Sequence, residues 1–119
     1  MNIFIICPVR NLTREEKFQI QYYIYSLEYK GNIVHYPLRD TNQNDNIGYN
    51  ICLENAQAII NADEVHVFWN KDSKGSLFDL GMAFITDKKI KLINKIEPTE
   101  YKSFENVLLK LESIGRKRC

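Results

Sequence analysis

The chain lacks a net charge of any size: sixteen basic against fifteen acidic side chains leave +1 over 119 residues. Gathering a nucleic acid polymer or an anionic membrane needs a clustered surplus of one sign, so neither is an expected partner. The one basic run, Arg116, Lys117 and Arg118, reads as a solvated tail. Cysteine is scarce as well. Cys7, Cys52 and Cys119 have no metal-ligand spacing, and an odd count without a secretory leader does not build a disulfide framework, so a reducing, cytoplasmic setting is expected. Two histidines, His35 and His66, lie within strand-like segments without a second ligand at a useful spacing, so no metal site is expected. Long hydrophobic runs are also missing. Met1 to Cys7 is apolar but stops at Pro8, too short for a signal-peptide core or a membrane span. With no internal repeat and no low-complexity stretch, linkers and arrays lose their support too.

What remains is an ordinary globular composition, 45% hydrophobic, enough for one modest core and therefore one domain over residues 1–119. Residues 2–7 (NIFIIC) form a continuous Ile-rich run, as expected of a parallel strand covered on both faces, and Pro8 ends it because proline brings no N–H to the ladder. Thr13 with Glu16 three residues later is a capping-box signature. Phe18, Tyr22, Tyr25 and Tyr29 follow at helical spacing until Gly31. A second strand is expected at 32–36 (NIVHY), then a long polar loop at 37–46 (PLRDTNQNDN). Ile47, Ile51, Asn55, Ala58 and Ile59 predict a helix over 47–61 whose one polar exception is Asn55. A third strand at 64–69 (EVHVFW), a helix from near Gly75 with Leu77, Leu80, Gly81 and Phe84 on one face, and a fourth strand at 90–94 (IKLIN) follow. The last helix is expected after Pro98, with Phe104, Val107, Leu108, Leu111 and Ile114 as its stripe.

Strand and helix alternate throughout, which predicts parallel strands joined by right-handed crossovers: an α/β, flavodoxin-like doubly wound sheet of four to five strands with helices on both faces. Ligands of such sheets bind beyond the carboxyl ends of the strands, where the strand order reverses. That directs attention to the loops PVRN, PLRDTNQNDN and NKDSKG.

In the third of these, Ser73, Lys74, Gly75 and Ser76 lie where a strand exit meets a helix start, so free backbone N–H groups and the helix dipole favour an anion such as phosphate. The plainer reading is that Ser73 caps the helix and Gly75 eases the turn. Asp79 follows among Leu77, Phe78 and Leu80, where partial burial would raise its pKa; its plainer reading is a carboxylate serving the helix dipole. Arg39, Asp40 and Asp45 in the second loop could meet sugar hydroxyls or move a proton, or could be solvated turn formers.

Taken together, CPVR at the first strand exit, YPLRD in the second loop, AIINADEVHVF and above all SKGSLFDLGMAF resemble the nucleoside 2-deoxyribosyltransferase family over most of the chain. The resemblance implies attack on an anomeric carbon by a carboxylate: Gly75, Phe78, Leu80, Gly81 and Ala83 match the family segment, and Asp79 stands at its glutamate position. It further implies a 5′-phosphate contact at Ser73, as in the 2-deoxynucleoside 5′-phosphate N-hydrolase branch, and a nucleobase neighbour at Asp40. Arg10 would belong to a loop closing over the ligand, and Asn55 stands where the family has an aspartate. On this basis the catalytic candidates are Asp79, Asp40 and Asp45. The substrate-binding candidates are Cys7, Pro8, Arg10, Arg39, Asn55, Ser73, Gly75 and Ser76. The implied partner is a small nucleoside or nucleotide, the implied assembly a homo-oligomer, and no metal or organic cofactor is called for. The alternative, motivated by Asp79 and Asn55 in place of the usual acids, is a non-catalytic nucleotide-binding or sensing domain on the same fold.

Overall fold

The computed structural model describes residues 1–115; the basic run Arg116–Arg118 and Cys119 lie outside them. The elements follow the alternation expected from the sequence: β1 (Asn2–Ile6), α1 (Arg14–Tyr29), β2 (Ile33–His35), α2 (Pro37–Asp40), α3 (Tyr49–Asn61), β3 (Glu64–Val67), α4 (Lys74–Ile85), β4 (Lys89–Leu92) and α5 (Phe104–Ile114). The four strands make one parallel sheet in the order β2-β1-β3-β4. This is the flavodoxin-like, doubly wound arrangement. The chain steps from β1 outward to β2 and then returns past β1 to β3, so the order reverses between β1 and β3, and their carboxyl ends frame the crevice where such sheets hold ligands.

Two apolar layers hold the sheet. On one face Phe4, Ile6, Val65, Val67 and Ile90 pack against Ile59, Leu80 and Ala83 of α3 and α4 and Leu108 of α5. On the other, Ile3, Ile5 and Val34 pack against Ile20 and Ile24 of α1. The α5 helix also covers the open edge of β4, where the Glu112 carboxylate accepts from Leu92 N–H at 2.7 Å. The capping box is formed as the sequence predicts: Glu16 N–H donates to Thr13 Oγ1 and Thr13 N–H to Glu16 Oε1, both at 3.0 Å.

Several expectations need correction. The stripe Phe18, Tyr22, Tyr25, Tyr29 does not face the core: these side chains are 65–82% exposed, and Ile20 and Ile24, on another face of α1, are buried instead. The loop after β2 contains a helical turn, α2, because Pro37 at its first position has φ pre-set for a helix and no N–H to leave unpaired. Ile47 precedes α3 and is exposed, and α5 begins at Phe104 after an irregular stretch rather than directly beyond Pro98. In α4 the buried face is Ser76, Asp79, Leu80 and Ala83, whereas Leu77, Gly81 and Phe84 are exposed. That last shift matters, because it turns two polar side chains inward.

Candidate functional site

The β3–α4 connection begins with Trp69, whose backbone N–H donates to Asn94 Oδ1 at 2.8 Å and whose indole donates to Glu105 Oε2 at 2.6 Å. These bonds fasten the strand exit to the neighbouring loop and to α5, so α4 starts from a fixed point. Ser73 is its N-cap: Ser76 N–H donates to Ser73 Oγ at 3.2 Å, and the Ser73 hydroxyl donates to Ser76 Oγ at 2.9 Å. The cap reading of Ser73 is thus realised, and it places two hydroxyls at the positive end of the helix dipole. A Cβ built on Gly75 would meet no atom within 4 Å, so the first turn of α4 leaves its backbone approachable.

Asp79 lies on the buried face of α4 and is only 8% exposed. Its carboxyl forms no hydrogen bond or ion pair among the described residues, and its oxygens are not sealed from solvent. Burial alone pushes its pKa up from 3.8 to about 7, because the charged form gives up hydration and gains no compensating partner. A carboxyl buried in this way without a partner adds nothing to the stability of the chain in its charged form. Cys7, at the exit of β1, is buried, and its thiol is pushed up to about 12 by burial and by the negative charge of Asp79. It is therefore a neutral, buried thiol at the exit of β1. Pro8 beside it is buried too, while Arg10 is exposed and has no hydrogen-bond or ion-pair partner among the described residues.

The second loop is used differently. Arg39 donates from Nε to Asp40 Oδ1 at 2.8 Å, from its terminal nitrogens to Glu28 at 3.0 and 3.3 Å, and to the Val34 carbonyl at 3.0 Å. Asp40 also accepts from Tyr36 N–H at 2.8 Å. Burial tends to raise the Asp40 pKa, but the Arg39 and Tyr36 hydrogen bonds outweigh it and hold the carboxyl below its ordinary value. The pair fastens α2 to α1. Asp45 accepts from the N–H groups of Ile47, Asn50 and Ile51 at 3.2, 2.8 and 3.2 Å, anchoring the entry to α3. Desolvation acts against its charge, yet these backbone donors keep its pKa below the ordinary carboxylate value. The structure thus brings Asp79 and Cys7 within each other's field and joins Ser73 to Ser76, while Arg39, Asp40 and Asp45 are occupied by their own loop.

Asn55 is buried in α3, and its Oδ1 accepts from the Thr41 hydroxyl at 2.7 Å. The Thr41 oxygen also meets His35 Nε2 at 2.7 Å. Sequence reading weighed His35 only as a metal ligand and did not single out Thr41. Their meeting depends on α2 returning the chain over β2, and no local pattern announces it. Among the described residues no group of acidic, histidine and cysteine side chains is arranged to hold a metal ion, and no helix is long and apolar enough to cross a membrane.

Neither a protein-family model nor a curated protein sequence matches the chain. Solved structures do. A CMP N-glycosidase, BcmB, from Clostridium botulinum aligns over 97% of this chain and 83% of its own at 22% identity, with a TM-score of 0.62. A 2-deoxyribosyltransferase from Bacillus psychrosaccharolyticus aligns over 100% of both chains at 16% identity, with a TM-score of 0.65. The fold is common to all three. At such identities the likeness establishes architecture and leaves the chemistry to be argued from the residues.

Proposed function

We propose that this chain is a member of the nucleoside 2-deoxyribosyltransferase family that breaks the N-glycosidic bond of a nucleoside or nucleotide, with Asp79 as the nucleophile. The observation that carries the reading is the buried carboxyl of Asp79, without a partner among the described residues, beside the exit of β1. It is supported by a fold shared with an N-glycosidase and a deoxyribosyltransferase. In this reading an Asp79 oxygen bonds to the anomeric carbon as the carbon–nitrogen bond to the base breaks, through an oxocarbenium-like transition state, and the departing base takes up a proton from solvent. Water or a second base then attacks the same carbon, loses its proton and releases Asp79 as a carboxylate. Asp40 and Asp45, ionised and held by Arg39, Tyr36 N–H and the backbone donors at the entry to α3, fix the second loop in this reading and do not supply the proton. The capped start of α4, with Ser73, Ser76 and the open backbone at Gly75, receives an anionic 5′-phosphate. Arg10, exposed and without an ion-pair partner among the described residues, is free to meet the ligand from the β1 loop in this reading.

The test is liquid chromatography of the protein with each common ribo- and deoxynucleoside and its 5′-monophosphate, with and without an acceptor base. Free or exchanged base from at least one substrate is the expected result. Saturable binding with no turnover in any mixture would replace this reading by a nucleotide-binding domain. The exposed apolar side chains Leu53, Ile60, Phe78 and Ile85 on α3 and α4 further support a homo-oligomer, which light scattering on the eluting protein would measure.

A further inference from the structure

Asn55 is 6% exposed, and one end of its carboxamide is fixed. A threonine hydroxyl has a single proton. Thr41 gives it to Asn55 Oδ1 at 2.7 Å, so the 2.7 Å contact between Thr41 Oγ1 and His35 Nε2 must be donated by the imidazole. His35 is therefore the Nε2–H tautomer. Its ring is held by stacking on Phe4, with centroids 5.4 Å apart and planes 12° from parallel. Burial keeps the imidazole below its ordinary pKa despite the carboxylates of Asp40 and Glu54, so it is neutral near pH 7. The chain His35, Thr41, Asn55 thus points its hydrogen bonds one way. The Asn55 oxygen is used, and its Nδ2 makes no hydrogen bond among the described residues yet is not sealed from solvent. A nine-tenths buried amide with an open donor has a use only if something supplies an acceptor.

We infer that Asn55 reads an acceptor atom of the bound molecule, a carbonyl oxygen, an unprotonated ring nitrogen or a sugar oxygen, and that His35 and Thr41 are positioning residues that hold the amide in that sense. The inference rests on the N-glycosidic reading and adds to it: an aspartate at this place could donate only while protonated, whereas asparagine offers its N–H to an acceptor at any pH.

Isothermal titration with cytidine 5′-monophosphate and its 2′-deoxy analogue, on the wild type and on Asn55→Ala, Asn55→Asp, Thr41→Val, His35→Phe and His35→Gln, tests the idea. Asn55→Ala, Thr41→Val and His35→Phe should each weaken binding by about 10-fold, as expected for losing one buried hydrogen bond, and Thr41→Val should add little to Asn55→Ala. His35→Gln, which keeps an N–H for Thr41, should recover most of the affinity, and Asn55→Asp should bind worst. Long-range 15N–1H spectra of the wild type, which need no variant to fold, should show His35 as Nε2–H and a shifted Asn55 side-chain amide once the monophosphate is added. An Nδ1–H tautomer, or wild-type binding unaltered by Asn55→Asp and Thr41→Val, overturns the inference and leaves the N-glycosidic reading standing. No binding or turnover of either probe or of any nucleoside by the wild type removes that reading and the inference with it.

Discussion

Replacing Asp79 by asparagine should make the protein more stable, and by an amount that depends on pH. A carboxyl moved from its ordinary 3.8 to about 7 by burial corresponds to about 4 kcal/mol of unfavourable ionisation in the native state. The sign is opposite to that of a salt-bridged aspartate. Between these two values the unfolded chain has released the Asp79 proton while the native state still holds it, so native stability falls as pH rises, and the full cost is present above about 7. Asparagine is close in shape to the protonated acid and cannot ionise. The difference in unfolding free energy, Asp79→Asn minus wild type, should therefore be near zero at pH 4 and grow toward about 4 kcal/mol at pH 8, a large part of the ~5–15 kcal/mol of a typical domain. Urea unfolding of both proteins at several pH values measures it, and taking the difference cancels the titration of His35, His66 and Glu64. A difference that stays constant from pH 4 to pH 8 would refute the reasoning, because it would place the Asp79 carboxyl in water. Excess stability in the variant would also mark Asp79 as a residue retained against the interest of the fold.

Other outcomes follow from the same structure. If Asp79 attacks as the anion, kcat/KM should rise with pH and level off above about 7, and a flat profile from pH 5 to 8 would contradict the assignment. His66→Phe removes the bonds from Tyr23 Oη at 2.7 Å and to Glu64 Oε1 at 2.9 Å, leaving a buried carboxylate with the charges of Lys91 and of Lys89 at 3.7 Å but without its hydrogen bond, so denaturant unfolding should show a loss of about 1–3 kcal/mol. Phe4→Ala opens a cavity under the α3–α4 layer and removes the ring on which His35 stacks, and the same assay should report a loss of about 3–5 kcal/mol.

The architecture was legible because each element announced itself locally: an Ile-rich run stopped by Pro8, the Thr13–Glu16 box, and alternation that admits few topologies. Faces were less legible. On α1 the aromatic stripe from Phe18 to Tyr29 outweighs Ile20 and Ile24 in apolar content, and only packing shows that the smaller pair is inside. On α4 hydrophobic patterning favoured Leu77, Gly81 and Phe84 because the true inner face carries Ser76 and Asp79. A pattern based on hydrophobicity misreads a helix at the place where polar groups are buried. Resemblance to the family segment supplied Asp79, but His35 and Thr41 could not be found this way. They are six residues apart and meet Asn55 only through α2 and α3, and no spacing rule describes that meeting. Arg39 and Asp40, by contrast, looked functional because they are charged and in a loop, and the structure gives both a local task.

The most direct test of the account is release of free base by the wild type and by Asp79→Ala, side by side, with cytidine and deoxycytidine 5′-monophosphates and their nucleosides as substrates. The account predicts base release by the wild type that disappears in Asp79→Ala while the variant stays folded. Equal release by the two proteins would contradict the role given to Asp79.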